Sequence, residues 1–303
     1  MLMPEQRLRL LECPNEPIDM VLDTDAYNEI DDQYAISYAL RAKEKLTVRA
    51  LYAAPFLNAR SKSPLDGMEK SYSEIQKLLR LAGENTQVFK GSGEYLQNEK
   101  EAIDYPAARN LAERALTYSP DRPLYVVAIG AITNVASALL LAPEIADRIV
   151  VVWLGGNSVD WHDSREFNMM QDVAAARVVY GSGAPLVILP CMGVVSSFTT
   201  TGPELRHWLS GKNALCDYLV KQTVEEAESY AAGLVWSRVI WDVTAIGWLL
   251  NDSSRLLLDK LIPTPIPEYD DHYAFDPRRS LCKYVYHINR DALFADIFDK
   301  LSR

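Results

Sequence analysis

The chain has 303 residues, of which 49% are hydrophobic and 24% charged, so it can bury a sizeable core. Its formal net charge of −10 disfavours nucleic acid and anionic membrane surfaces as partners, because their phosphates would be repelled. Four cysteines without CxxC spacing and only four histidines disfavour a disulfide framework and a zinc site. No signal peptide or membrane span is visible, so we expect a cytoplasmic protein whose metal ligands, if any, are oxygens.

Strand-like and helix-like segments alternate along the first two-thirds of the chain. The strand-like runs are Met20–Leu22, Thr47–Ala54, Leu124–Ile129, Ile149–Leu154 and Leu186–Leu189. The helix-like segments between them are Asp32–Arg41, Met68–Leu81, Pro106–Thr117, Thr133–Leu141 and Asp172–Tyr180. This alternation predicts an α/β fold, with an open, mostly parallel β-sheet flanked by helices in a Rossmann-like arrangement.

Helical patterns dominate beyond about residue 196. Helices are predicted at Gly202–Leu209, Lys212–Tyr230 and Asp242–Leu250, before a proline-rich acidic loop at Ile262–Asp271 and a strand and short helix within Lys283–Arg303. No internal repeat or linker interrupts the chain. We therefore expect residues 1–303 to form a single domain with a helical C-terminal part.

A dense group of acidic residues follows the first predicted strand, in the segment Asp23-Thr24-Asp25-Ala26-Tyr27-Asn28-Glu29-Ile30-Asp31-Asp32. Five carboxylates within ten residues would repel one another, and a bound cation would remove that penalty. The alternative is a solvated loop in which Asp31 or Asp32 caps the next helix. Ligands of open parallel sheets bind at the carboxyl ends of the strands, which favours the cation.

Other polar residues follow the predicted strands in the same way. They are Asn58, Thr133, Asn134, Glu166 and Asn168. Each alone could be a turn or capping residue, but parallel strands would bring all of them to one rim. Asp242 precedes a further predicted helix, where it could cap that helix, point into the cleft, or do both.

These segments together resemble the inosine-uridine-preferring nucleoside hydrolase family, from about Asp19 to Leu250. Four motifs carry the resemblance in order: Asp23-Thr24-Asp25 with Asp31-Asp32, Gly130-Ala131-Ile132-Thr133-Asn134, Gly155-Gly156 with Glu166-Phe167-Asn168, and Trp241-Asp242 before an alanine-containing helix. The resemblance implies the nucleoside hydrolase fold, a homodimer or homotetramer, and a small riboside as the substrate.

The resemblance also implies roles for individual residues. Calcium would be held by Asp25, Asp32, Asp242 and the backbone carbonyl of Thr133. Asp25 would take a proton from the metal-bound water, and the N-glycosidic bond would break through an oxocarbenium-like state. Asp31, Asn58, Glu166 and Asn168 would hydrogen-bond the ribose, and Asp23 would orient its neighbours from behind the site.

The chain departs from the family pattern in three places. Five residues without glycine separate Asp25 from Asp31, so Asn28 or Glu29 is expected to enter the pocket. Trp241 replaces the usual histidine beside the departing base, and we expect it to stack on the base. The family's ribose-binding asparagine between Gly156 and Glu166 has no clear counterpart, and the candidates are Asn157, Asp160 and His162.

Two competing hypotheses follow from the same residues. An Asp-x-Asp after a strand also opens haloacid-dehalogenase-like phosphatases, although these carry Thr or Val where this chain has Tyr27. The altered loop and Trp241 also permit a calcium-binding protein of the nucleoside hydrolase fold that has lost or changed its activity.

Overall fold

A computed structural model describes residues 2–303. Helices α1–α11 span Pro4–Leu10, Asp31–Arg41, Pro64–Ala82, Pro106–Ala115, Thr133–Leu141, Phe167–Gln171, Val173–Gly181, Gly202–Leu209, Ala214–Ala231, Val243–Leu249 and Arg290–Ser302. Strands β1–β12 span Ile18–Thr24, Leu46–Ala53, Val88–Lys90, Leu124–Ala128, Ile149–Leu154, Leu186–Leu189, Thr199–Thr200, Arg238–Val239, Leu257–Pro263, Ile266–Pro267, Tyr273–Ala274 and Leu281–Ile288.

Eight strands form the central sheet, in the order β3-β2-β1-β4-β5-β6-β12-β9. All neighbouring pairs are parallel except β12 and β9, which are antiparallel. The predicted open, mostly parallel sheet with a helical C-terminal part is therefore confirmed. The chain crosses over between β1 and β4, so the carboxyl ends of these two strands lie side by side at a switch point suited to a ligand.

Apolar side chains cover both faces of the sheet, as expected for buried parallel strands. Along β5, Val150 and Val152 point to the layer that contains α2, α3, α10 and α11, whereas Val151 and Trp153 point to the layer of α4, α5 and α7. No helix within residues 2–303 is both long and apolar enough to cross a membrane.

One local prediction and one of the alternatives were wrong. The proline-rich segment Ile262–Asp271 is not one loop, because β9 continues to Pro263 and Ile266–Pro267 pairs with Tyr273–Ala274. Neither Asp31 nor Asp32 caps α2, since its N-cap residue is Ile30 and the two aspartates form the first helical turn. By contrast, Asp172 caps α7, where its side chain accepts a hydrogen bond from the backbone N–H of Ala175.

Candidate active site

The loop between β1 and α2 carries the acidic residues to the carboxyl end of the sheet. It turns immediately after the strand, with the backbone N–H of Asn28 donating to the carbonyl of Asp25 over 2.7 Å. Ala26 and Ile30 are buried and anchor the loop on the core. Helix α2 then begins at Asp31, so two carboxylates stand at its amino-terminal end, where the helix dipole favours negative charge.

Three carboxylates converge at this point. Oxygen atoms of Asp31, Asp32 and Asp242 all lie within 4.8 Å of one another, and all three side chains are buried. The hydroxyl of Thr24 donates a hydrogen bond to Asp32 Oδ1. Asp242 is the N-cap residue of α10 by position, but its side chain makes no capping hydrogen bond. The carboxylate of Asp242 thus belongs to the acidic group rather than to its helix.

Asp25 is buried beside this group. A Cβ atom at Gly130 would lie 3.0 Å from Asp25 Oδ1, so the carboxylate is packed against the turn after β4. Its other oxygen, Oδ2, has no hydrogen-bond partner among the described residues. An orphaned buried oxygen next to three converging carboxylates fits a divalent cation with oxygen ligands.

The electrostatics of the group lead to the same conclusion. Burial, followed by the neighbouring carboxylates, raises the pKa of Asp25 and Asp242 well above the ordinary range. For Asp31, burial and then Glu29 and Asp32 have the same effect on the pKa, opposed by Arg238. Burial raises the pKa of Asp32 to about 7 despite its hydrogen bond from Thr24. A bound cation would stabilise the ionised form of every one of these groups.

A cavity of about 250 Å³ opens above the acidic group. The predicted site residues that line it are Asp25, Asn28, Glu29, Asp31, Asp32, Asn157, Glu166, Asn168, Trp241 and Asp242. Asn28 and Glu29, which stand in the lengthened loop, both face the cavity as expected. Residues far apart in sequence thus meet at the carboxyl ends of β1, β4 and β5.

Other predicted residues lie outside the cavity lining. Asp23 sits beneath it, where its Oδ1 accepts a hydrogen bond from the Asn134 amide at 2.7 Å and burial raises its pKa to about 7. Asn58 donates its side-chain amide to Asn28 Oδ1 over 2.6 Å. The hydroxyl of Thr133 donates to Asp172 Oδ2 over 2.6 Å. These three residues therefore support lining residues or neighbouring turns.

His162 and Asp160 do not line the cavity. The ring of His162 is largely exposed and lies 3.1 Å from the carboxylate of Asp163. Asn157, the third candidate for the missing family asparagine, does line it, and its Oδ1 accepts from the backbone N–H of Met192 at 3.2 Å.

Glu166 and Asn168 bind backbone groups of the cavity wall. The carboxylate of Glu166 accepts hydrogen bonds from the N–H groups of Gly156, Asn168 and Met169 over 2.8–3.1 Å. Burial raises the pKa of Glu166, and these amides oppose the shift. The Asn168 amide donates to the carbonyls of Ile129 at 3.2 Å, just after β4, and of Leu154 at 3.1 Å, the last residue of β5.

Some lining and supporting residues escaped the sequence analysis. Arg165, Phe167, Cys191 and Met192 line the cavity, and Arg238 forms an ion pair with Glu29. Arg165 and Phe167 flank Glu166 in sequence and could have been found from that motif. Nothing in the local sequence marks Arg238 as a partner of a loop 209 positions away.

The fold and the site together define an α/β protein with a buried carboxylate site suited to a divalent cation. The sequence matches the family described as inosine-uridine preferring nucleoside hydrolase over residues 20–276, and the chain belongs to this family. It is therefore a nucleoside hydrolase, and the phosphatase hypothesis is set aside.

Individual relatives agree with this assignment. The non-specific ribonucleoside hydrolase RihC of Salmonella paratyphi B is 28% identical over 258 residues, which cover 77% of this chain and 79% of that protein. The structure of a purine-preferring ribonucleoside hydrolase from Gardnerella vaginalis superposes with a TM-score of 0.74 at 20% identity, covering 94% and 98% of the two chains. An inosine-uridine preferring nucleoside hydrolase from Bacillus anthracis gives 0.72 at 17%, covering 94% and 99%. At these identities the two structures support the fold alone.

Proposed function

We propose that the protein is a calcium-dependent hydrolase that cleaves the N-glycosidic bond of ribonucleosides, or of a related riboside, to give ribose and the free base. The observation that carries this proposal is the convergence of the buried carboxylates of Asp31, Asp32 and Asp242 beside Asp25, at the floor of a cavity. Calcium accepts six to eight oxygen ligands in flexible geometry, whereas magnesium demands a tighter octahedron and keeps several waters, so an acidic protein cage favours calcium.

Asp25, Asp32, Asp242 and the carbonyl of Thr133 are the proposed calcium ligands. Asp31 lies within the converging group, so we assign it to both the ion and the ribose hydroxyls beside it. When bound, the ion would lower the pKa of water and orient the ribose on one template. Side chains of the protein would carry out proton transfer, ribose binding and charge stabilisation.

Asp25 is the proposed general base. Its carboxylate lines the cavity beside the other proposed ligands, so it would be in place to accept a proton from the attacking water. Asn168 and Glu166 would hold the ribose. The amide nitrogen of Asn168 would keep its hydrogen bonds to the carbonyls of Ile129 and Leu154. The surrounding carboxylates would stabilise the positive charge that develops on the ribose ring as the bond to the base breaks.

Trp241 lines the cavity and is assigned to the departing base. An indole N–H has no titratable proton near neutral pH, so Trp241 cannot protonate the leaving group. It can stack on a flat base instead, and the proton would come from solvent. Asn28 and Asn58, joined by their side chains, would close the ribose side of the cavity.

The proposal is tested by incubating the enzyme with calcium and a panel of purine and pyrimidine nucleosides, and measuring free ribose. We expect ribose release that stops on chelation and in Asp25→Asn. A protein that binds calcium and nucleosides but releases no ribose would contradict the proposal and favour the inactive calcium-binding alternative. Light scattering on the same preparation would test the proposed homodimer or homotetramer.

A further inference from the structure

The loop that carries the acidic residues is longer than a tight turn needs and contains neither glycine nor proline between Asp25 and Asp31. Its conformation must therefore be fixed by contacts with its surroundings. Asn28 binds the amide of Asn58, and the carbonyl of Glu29 accepts a hydrogen bond from the Gln33 side chain at 3.3 Å. The side chain of Glu29 makes a further contact, an ion pair with Arg238.

Arg238 lies in β8, four positions before Asp242, and β8 is held against β7 through the pairing of Arg238 with Thr200. Its side chain is only 16% exposed. The guanidinium also faces Glu226 of α9 at 3.4 Å, and Arg60 faces the other oxygen of Glu226 at 2.8 Å. Arg238 is thus the cation that joins the acidic loop to the segment leading into Asp242.

We propose that Arg238 is a positioning residue: its ion pair with Glu29 fixes the acidic loop against the Asp242 segment and so sets the spacing of the carboxylates that receive the cation. This inference rests on the proposed function. Asp25, Asp31 and Asp32 come from the acidic loop and the start of α2, whereas Asp242 comes from the start of α10, so the distance between the two groups depends on how these segments pack. Without Arg238, the Glu29 carboxylate would lose the ion pair that ties the acidic loop to β8.

Arg238→Gln separates this role from simple electrostatics. A positive charge near a cation site weakens cation binding, so its removal alone should tighten calcium binding. If Arg238 positions the ligands, its removal should instead weaken calcium binding by about tenfold, as outer-shell substitutions at metal sites commonly do. The measurement is the calcium dissociation constant by calorimetry, which needs no turnover.

Two further variants make the comparison sharper. Arg60→Gln removes the other partner of Glu226 without touching Glu29, and it should leave calcium affinity within about twofold. The double variant Glu29→Gln with Arg238→Gln should bind calcium about as weakly as Arg238→Gln alone, because one contact is lost in both. If only charge mattered, the two opposite effects would cancel and the double variant would return to the wild-type affinity.

Hydrogen exchange of the Asp25–Asp31 amides in calcium-free protein gives a second readout. We expect faster exchange in Arg238→Gln than in wild type and no change in Arg60→Gln. Unchanged exchange, or calcium affinity that is equal or higher in Arg238→Gln, would overturn the positioning role. If the wild type takes up no calcium, the proposed function fails, while the exchange rates still decide whether Arg238 holds the loop.

Discussion

Two buried aspartates occupy the N-cap positions of helices but make different contacts there. Asp172 accepts hydrogen bonds from the N–H groups of Ala175 at 2.9 Å and Leu96 at 3.0 Å, so it caps α7. Asp242 occupies the same position before α10 but makes no capping hydrogen bond. Its carboxylate faces Asp31 and Asp32 instead. Placing three buried carboxylates together costs stability, so helix capping alone does not explain this arrangement.

We therefore expect Asp242→Asn to abolish calcium binding and turnover while leaving the calcium-free protein at least as stable as wild type. The substitution keeps the side-chain shape and removes one of several buried like charges. Calorimetry with calcium and urea unfolding in a chelator measure the two effects.

Asp172→Ala is the matched control for Asp242. It should cost about 1 kcal/mol of unfolding free energy, the usual value of an N-cap, or more because Thr133 also loses its partner. If Asp242→Ala showed the same mild destabilisation with calcium affinity retained, Asp242 would be a helix cap and not a ligand.

Trp241 gives a prediction about base preference. Stacking on an indole offers a purine more contact than a pyrimidine, and aromatic pairs contribute about 0.5–1.5 kcal/mol. We expect a higher kcat/KM for inosine than for uridine in the wild type, and a ratio reduced by up to about tenfold in Trp241→Ala. Equal or faster cleavage of uridine by the wild type would contradict the stacking role.

At the scale of elements, segments with a continuous apolar pattern were predictable to the residue. Strand β5, strand β6 and helix α5 begin and end where the sequence predicted. Helix α3 begins earlier, at Pro64, because Ser63 caps it by accepting from the N–H of Asp66. Strand β9 was missed since it lies at the sheet edge, pairs only with β12, and mixes charged with apolar residues.

Some contacts within the site could likewise be predicted from the sequence, and others could not. Asp25, Asp32 and Asn168 were predictable as neighbours because each follows a strand whose carboxyl end meets the others at one rim. The contact between Glu29 and Arg238 could not be predicted, because the two residues lie 209 positions apart and meet through the packing of distant elements. Charge alone does not select one partner among the arginines of the chain.

Helix α11 packs on α2 through a partly buried polar cluster, and this cluster gives a pH prediction. Asp296 accepts hydrogen bonds from Tyr38, Lys300 and Arg255, which outweigh the effect of burial and hold the pKa of Asp296 below its usual value. An acid with a lowered pKa stabilises the fold above its unfolded pKa, and that contribution is lost as pH falls through the folded pKa.

Asp296→Asn should accordingly lower the unfolding free energy by about 1–3 kcal/mol at pH 6, with a deficit that shrinks below the unfolded pKa of about 3.9. Urea unfolding at pH 6 and at pH 3 measures it. Asp299→Asn, on the same helix but exposed and paired with Arg303, should change stability by less than about 0.5 kcal/mol. A deficit independent of pH would mean that packing, not charge, is the main contribution of Asp296.

In the whole molecule, the central sheet lies between two apolar layers. The acidic group lies at the carboxyl ends of the strands, at the edge of both layers. Alternate residues of single strands, such as Val151 and Val152 of β5, pack into opposite layers. Loss of one layer would expose the reverse side of the same strands, so we expect the chain to fold as the single domain that the sequence predicted. The buried carboxylates oppose that fold until a cation compensates them.

Calcium should therefore stabilise the whole protein and not only the loop. A ligand that binds only the folded state at about 100 times its dissociation constant adds about 2.7 kcal/mol to the unfolding free energy. We expect the melting temperature to rise by several degrees when calcium replaces a chelator, to rise less with magnesium at the same concentration, and to stay constant in Asp242→Asn. The measurement is differential scanning calorimetry at fixed protein concentration, since an oligomer would make the melting temperature depend on it. Identical melting temperatures in calcium and in chelator would remove the support for a cation at this site, because four buried carboxylates that bind an ion cannot do so without stabilising the fold.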